Sequence, residues 1–301
     1  MDDIIIKNVC YTPGPVINFI KKYSSTDILP FPLVKVVTYN NYKKNYQKYH
    51  QCIASFYDKY DQKTFKEKYK KLEELIKEDA QKLQKPKYVL LKAFEKFENS
   101  GYNSEEELIK LIIREYTKET YYKDLNRWLM SLEKKYYLVI SYFAARLMYY
   151  LNKYAEKENK FFLKKDRLYR GITCSFSAIL SYKRAVNKII VLSGFNSTSE
   201  KKGIAKGFLA TKREKIIDYE FSVIFYIDND YYGDKISNCI NVQDISDCKD
   251  IEREILFQAF IFYLVEKVNI NINKKEADIY LKTIKKTHIL EEEMKKEKKN
   301  N

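Results

Sequence analysis

Three short polar stretches in apolar surroundings hold the residue types in this sequence that could do chemistry. Residues 168–171 read LYRG and place a guanidinium beside a glycine. Residues 195–199 read FNSTS and carry three hydroxyls, while residues 251–257 read IEREILF and carry two carboxylates two positions apart. Each stretch alone has an ordinary structural explanation. Their joint presence, in the order arginine, serine, glutamate, is what points to a function.

The first stretch ends an apolar strand on Arg170. A guanidinium is a rigid fork of donors suited to a diphosphate or a carboxylate, and Gly171 permits close approach of a ligand to the backbone. A surface arginine at a strand end is the ordinary alternative, and it is favoured when Arg170 is considered by itself.

The second stretch carries Ser197 and Ser199, which share one face if the segment is a strand. Hydroxyls on one face can orient a ligand or a neighbouring carboxylate. The alternative is a turn or a helix cap, and Ser199 is placed to cap a helix that starts near Lys201.

The third stretch carries Glu252 and Glu254, which point the same way on a strand. Carboxylates beside a cleft stabilise the positive charge that develops at a sugar anomeric carbon. The alternative is a charged strand face paired with Lys or Arg. An arginine for phosphates, a serine and a glutamate form a coherent set for a substrate with both a pyrophosphate and a scissile glycosidic bond, and NAD has both.

Composition restricts the remaining classes. The chain has 301 residues, 45% of them hydrophobic, and a net charge of +15. Because the basic residues alternate with acids, we interpret them as solvated helix faces, with a nucleic-acid surface as the sharper alternative. Five scattered cysteines and two histidines argue against a disulfide framework and against a metal site. Neither a signal peptide nor an apolar run long enough to span a membrane is evident, so an intracellular location is expected.

The pattern of apolar residues predicts helices first and strands afterwards, hence an α+β fold. Helical spacing covers residues 42–85, and a glycine after a further helix marks a boundary near residue 100. An apolar helix over 137–154 is expected at the centre of the core. One helix, at 201–208, is expected among the strands that follow residue 165. The predicted strands are 167–172, 188–192, 195–198, 221–227, 240–242, 252–257 and 260–270.

Taken together, the three stretches resemble the Arg–Ser–Glu-x-Glu class of mono-ADP-ribosyltransferases, the group of the cholera-type toxins and the vertebrate arginine-specific ectoenzymes. Upstream, residues 113–117 and 121–129 resemble the helices that precede the arginine strand in that family. The resemblance covers roughly residues 105–275. It implies a split β-sandwich core preceded by helices, with a catalytic domain over 101–290, a mainly helical N-terminal region over 1–100 and a charged tail over 291–301.

The resemblance also implies site residues, with NAD as substrate and no metal. Arg170 would bind the NAD phosphates, and Gly171 would offer its backbone to the nicotinamide amide. Ser197 would help to place Glu254, which would contact the nicotinamide ribose and support the cationic transition state. Glu252 would engage the acceptor of the ADP-ribose group. In this family a glutamate at that position implies that the acceptor is a guanidinium.

The implied activity is transfer of ADP-ribose to arginine side chains of proteins with release of nicotinamide, accompanied by slow NAD glycohydrolysis. One departure concerns the acceptor: residues 243–250 contain no aromatic side chain, whereas family members often place one there. Two alternatives stay open. One is the same fold acting on a nucleic acid, which the positive charge would favour, and the other is a catalytically silent interaction module.

Overall fold

The computed structural model of the chain describes residues 37–38, 105–117, 126, 129, 137–162, 166–213, 220–229, 239–246 and 253–284. Most of the predicted N-terminal helical region and all of the charged tail lie outside this set. Glu252 also lies outside the described residues, as do both histidines and three of the cysteines.

Among the described residues, two long helices precede the main strands, in the predicted order of helices before strands. Helix α1 (Glu105–Thr117) buries Ile109, Ile113 and Tyr116, which recur at three- and four-residue spacing. Such spacing places apolar side chains on one helical face. Helix α2 (Tyr137–Glu158) continues four residues beyond the predicted end. Most of its described residues up to Ala155 are buried, so this helix belongs to the core.

The ends of α1 and α2 are joined at the surface by charges. The Glu106 carboxylate pairs with Lys110 on its own helix and with Lys157 near the end of α2. Hydrogen bonds from these two ammonium groups lower the pKa of Glu106 to about 2. Here the abundant lysines serve as solvated helix faces, which agrees with the interpretation of the overall charge.

Nine strands and two further helices make up the rest of the described chain. In chain order they are β1 (Val37–Thr38), β2 (Arg167–Ser175), α3 (Phe176–Arg184), β3 (Ile189–Leu192), β4 (Asn196–Ser199), α4 (Lys202–Arg213), β5 (Glu220–Asp228), β6 (Cys239–Asn241), β7 (Glu254–Phe257), β8 (Ile261–Asn271) and β9 (Glu276–Ile284). The α+β prediction is confirmed, since the described chain combines helices with a mixed, mainly antiparallel sheet.

The strands form one hydrogen-bonded sheet in the order β1-β3-β8-β9-β5-β2-β4-β7-β6. The β5–β9 pair is parallel, and the other described pairs are antiparallel. Between β2 and β4 the described register contains a single pair, Tyr169 with Ser199. The sheet can therefore divide at this junction into a six-stranded part and a three-stranded part. Strand β1 comes from within the predicted N-terminal region and pairs with β3.

The main core lies between these two parts of the sheet. It unites Leu168, Phe225 and Ile279 of the larger part with Ile255 and Phe257 of β7, all at most 2% exposed. Burial of both apolar faces against each other is the dominant favourable contribution to such a fold. This packing holds β2 and β7, which carry Arg170 and Glu254, in a fixed relation.

The structure corrects the prediction in two places. A second helix, α3, lies among the strands, where only one was expected. It begins at an N-cap, Ser175, whose hydroxyl accepts from the backbone N–H of Ala178. Strand β9 was not predicted, although its buried and partly buried residues alternate in the two-residue period of a strand.

The lack of a side chain at Gly171 is explained by the packing of α4 on β2. A Cβ atom there would lie 2.0 Å from the carbonyl oxygen of Ala205 and 3.2 Å from Cγ of Leu209. Because the nearer atom belongs to the backbone, a larger residue must displace the helix. The contact of the Gly171 backbone with the nicotinamide amide stays a prediction, separate from this packing role.

Gly171→Ala is expected to lower the free energy of unfolding by about 1–3 kcal/mol, since it overpacks the β2–α4 contact. Urea denaturation followed by circular dichroism measures the change. Gly203→Ala and Gly207→Ala on α4 are matched controls, because an added Cβ meets nothing within 4 Å at either position. Both should stabilise the helix by about 0.5–1 kcal/mol. A Gly171→Ala protein as stable as the wild type would contradict the packing explanation.

Candidate active site

Arg170 lies in the middle of β2, on the same side of the strand as Leu168 and Ile172 by the two-residue alternation. Those neighbours belong to the core or pack against it, so the half-buried guanidinium emerges from an apolar surface. Its Nη1 donates to the carbonyl oxygen of Ser197 at 2.9 Å. Arg170 therefore joins β2 to β4 at the junction where the sheet divides.

Ser197 lies on β4, between β2 and β7 in the sheet. It pairs with Leu256, and Ser199 pairs with Glu254, so these four residues share one face of the β4–β7 ladder. The register is secured from the other face, where the Thr198 hydroxyl donates to the carbonyl oxygen of Ile255 at 2.7 Å.

The Ser199 hydroxyl accepts from the backbone N–H of Lys201 at 3.2 Å. Lys201 directly precedes α4, which begins at Lys202. Ser199 thus makes the expected capping hydrogen bond, but to Lys201, the residue just before the helix, rather than to a helical residue. The Ser199 hydroxyl oxygen therefore has a local partner just ahead of α4.

Glu254 begins β7 and is 4% exposed. The Ser246 hydroxyl donates to its Oε2 at 2.7 Å. Burial raises the pKa of Glu254, and hydrogen bonding from Ser246 and Ser197 and the charge of Arg170 oppose that rise. The structure thus brings three of the predicted residues, Arg170, Ser197 and Glu254, into one interacting group.

The acidic strand begins two residues later than predicted, at Glu254. The preceding Arg253 is exposed and has a φ of 42°, in the left-handed region that non-glycine residues seldom adopt. The strand that the structure describes therefore starts at Glu254, and Glu252 lies outside the described residues. The role of Glu252 stays a prediction.

Asn126 positions the serine stretch, a role that the sequence did not reveal. Its Oδ1 accepts from the backbone N–H of Phe195 at 2.7 Å, and its Nδ2 donates to the Phe195 carbonyl oxygen at 3.0 Å. Gly194 leaves room for this amide, since a Cβ there would lie 2.7 Å from Oδ1. Tyr116 of α1 packs its ring against Phe195 and accepts from Nδ2 at 3.3 Å. The helices thereby hold the backbone two residues before Ser197.

Ser246 is the second functional residue that sequence reasoning missed. It lies in a polar stretch with no motif, eight residues before Glu254. Only the fold brings its hydroxyl to the carboxylate. A polar side chain that the tertiary structure buries against an acid gives no signal of its own in the sequence.

No family model matches this sequence, and no curated protein matches it. Among solved structures, the chain is similar to the Vis toxin, an ADP-ribosyltransferase of Vibrio splendidus, with 16% identity over 75% of this chain and 88% of that chain and a TM-score of 0.43. It is also similar to the ADP-ribosyltransferase HopU1 of Pseudomonas syringae, with 15% identity over 63% and 82% of the two chains and a TM-score of 0.45. It is similar as well to the C3 exoenzyme of Clostridium limosum, with 15% identity over 67% of this chain and 96% of that chain and a TM-score of 0.42.

The described residues contain neither a metal site nor a membrane-spanning helix. Within them, no cluster of three or more His, Cys, Asp or Glu side chains could hold a metal ion. None of the helices in the described part of the chain is long and apolar enough to cross a membrane.

Proposed function

We propose that this chain is an NAD-dependent mono-ADP-ribosyltransferase that modifies arginine side chains of proteins and releases nicotinamide. The observation that supports the proposal is the convergence of Arg170, Ser197 and Glu254 at the junction of β2, β4 and β7. Arg170 bonds to Ser197 at 2.9 Å, and both residues act on the buried Glu254 carboxylate. These are the residue types that the resemblance implies for binding and cleaving NAD.

Each residue then has a chemical task. Arg170 keeps donors beyond the one used by Ser197, and those donors suit the two phosphates of NAD. When the glycosidic bond to nicotinamide breaks, the leaving nicotinamide takes the electron pair and the ribose becomes cationic. The ionised Glu254 carboxylate stabilises that charge, and burial strengthens the interaction because the local dielectric constant is low.

The acceptor nitrogen attacks the ribosyl cation from the face opposite to the departing nicotinamide. An arginine side chain must lose a proton in this step, and Glu252 is proposed to grip the guanidinium and assist that loss. When water attacks instead, the products are ADP-ribose and nicotinamide, so slow NAD glycohydrolysis is proposed as a side reaction.

Incubation of the purified, folded protein with labelled NAD and poly-arginine tests the proposal. Label on the polymer and released nicotinamide are expected, with mass spectrometry locating ADP-ribose on arginine. Poly-lysine is the matched acceptor control. If folded protein neither transfers label nor releases nicotinamide, the proposed function is wrong.

Glu252→Gln is expected to separate the two reactions. Loss of the carboxylate removes the partner of the acceptor guanidinium, so transfer to poly-arginine should fall by about 100-fold. Nicotinamide release in the absence of acceptor should stay close to the wild-type rate, because Glu254 is intact. Parallel assays of both products measure the split, and an equal loss of both reactions would contradict the role assigned to Glu252.

A further inference from the structure

The Ser246 hydroxyl donates a hydrogen bond to Glu254 that no predicted role of the site explains. Ser246 is 1% exposed, and its Oγ lies 2.7 Å from Oε2 of Glu254. Hydrogen bonds to an ionised acceptor are shorter and stronger than neutral ones, and inside a protein they offset the loss of hydration of the charge. The hydroxyl therefore both locates one carboxylate oxygen and stabilises its charge.

The backbone around Ser246 closes onto the start of β7. The carbonyl oxygen of Val242 accepts from the N–H groups of Ile245 at 3.1 Å and Ser246 at 2.8 Å. The N–H of the same Val242 donates to the carbonyl oxygen of Glu254 at 3.0 Å. Val242 thus bonds to both Ser246 and Glu254, so the turn and the acidic strand keep a constant separation.

Buried apolar side chains and the end of α2 hold this turn in place. Val242 and Ile245 are both buried. The N–H of Asn241 donates to the carbonyl oxygen of Lys160 at 2.8 Å, and its Oδ1 accepts from the N–H of Gln243 at 3.0 Å. The Lys160 ammonium also pairs with Asp244 in the turn. A rigid support of this kind is what a residue that orients a catalytic group requires.

Few other described groups reach the carboxylate. Hydrogen bonding from Ser197 on β4 and the charge of Arg170 on β2 both oppose the rise in the pKa of Glu254. Ser199 pairs with Glu254 in the ladder, and its hydroxyl oxygen accepts from the backbone N–H of Lys201. Arg253 adjoins Glu254 in sequence and is exposed. Ser246 is therefore the donor from outside the predicted set.

We propose that Ser246 is a positioning residue, whose hydroxyl fixes Oε2 of Glu254 so that the carboxylate is held in one orientation towards the nicotinamide ribose. This inference rests on the proposed function for the identity of the ribose. The Ser246–Glu254 bond itself can be tested without any turnover.

The direct test is a carboxylate titration followed by NMR on protein labelled with ¹³C-glutamate. The Glu254 signal is identified by its loss in Glu254→Gln. In Ser246→Ala the pKa of Glu254 should rise further, by about one pH unit, because a charge-assisted bond is removed. Ser222→Ala, which removes another buried serine hydroxyl on β5, should leave the Glu254 titration unchanged. An unchanged titration in Ser246→Ala would overturn the inference.

Kinetics then test the effect on catalysis. Ser246→Ala should lower kcat for nicotinamide release about tenfold with little change in KM for NAD, and it should move the acid limb of the pH–rate profile upward with the titration. Ser246→Thr, which keeps the hydroxyl, should recover most of both losses. If Ser246→Ala does not fold, Ser246→Cys replaces it, since a thiol is a much weaker donor.

The outcomes separate the two proposals. Suppose that the wild type releases no nicotinamide, while Ser246→Ala still shifts the titration of Glu254. This result would count against the proposed function and support the hydrogen bond. Nicotinamide release with equal kcat in the wild type and Ser246→Ala would overturn the positioning role while leaving the proposed function standing.

Discussion

Glu254→Gln is expected to abolish nicotinamide release and arginine transfer together while leaving the fold intact. Glutamine has the shape of glutamate but carries no charge, so the cation on the ribose loses its stabilising partner. Removal of one group that stabilises transition-state charge costs about 100-fold or more in rate. Nicotinamide release measured by chromatography, with and without poly-arginine, quantifies both losses.

The same substitution should make the protein at least as stable at neutral pH. Because burial raises the pKa of Glu254, the folded state binds this proton more tightly than the unfolded state does. Stability of the wild type therefore falls as pH rises from the unfolded pKa through the folded pKa. Glutamine does not titrate and avoids that loss. The free energy of unfolding of Glu254→Gln, measured by urea denaturation, should therefore exceed that of the wild type most at neutral pH, and the difference should shrink on acidification.

Glu220→Gln is the matched control for Glu254→Gln. Glu220 is a second buried glutamate, at the start of β5 and paired with Ser175 rather than with the site residues. Its replacement should leave nicotinamide release near the wild-type rate. Retention of more than about a tenth of the activity by Glu254→Gln would contradict the role proposed for this carboxylate.

Arg170→Lys is expected to raise the Kd for NAD by about tenfold or more, although it conserves the charge. The guanidinium uses one nitrogen to hold the Ser197 carbonyl oxygen, and its other nitrogens are proposed to bind the phosphates. An ammonium group is a point charge without this fork, and a lost hydrogen bond to a charged group costs about 1.5–3 kcal/mol. Isothermal titration calorimetry with NAD measures the change directly.

Arg167→Lys provides the control on the same strand. Arg167 donates from Nε and Nη2 to the two carboxylate oxygens of Asp228, at 2.6 and 2.8 Å. This exposed pair lies on the opposite side of β2 from Arg170, so its loss should not change the affinity for NAD. Wild-type affinity in Arg170→Lys, or equal losses in both variants, would contradict a phosphate-binding role for Arg170.

Much of the fold follows from local patterns in the sequence. Apolar residues at helical spacing predicted α2, and short β-type runs predicted seven of the strands to within a few residues. These elements are readable because one buried face imposes a fixed period on the chain. Strand β9 carries the same alternation through Ala277, Ile279 and Leu281, so its signal was present but was not recognised. The local capping of α3 by Ser175 was likewise overlooked.

The candidate site was accessible to sequence reasoning only in part. Arg170, Ser197 and Glu254 each stand in a short strand whose residues are consecutive, and such local stretches can be compared with a family. The local pattern did not foretell that Arg253 has a left-handed backbone and that β7 starts only at Glu254. A left-handed residue interrupts strand alternation, and its φ angle depends on tertiary context rather than on residue type.

The sequence by itself determined which residue types are present for NAD chemistry and in which order they occur. The tertiary structure decided their environment. It buried Glu254, brought Ser246 to its carboxylate across a turn, and used Asn126 to clamp Phe195 from 69 residues away. Packing between the two parts of the sheet creates these contacts. Because the contacting residues are distant in sequence and follow no shared period, no local pattern could have revealed them.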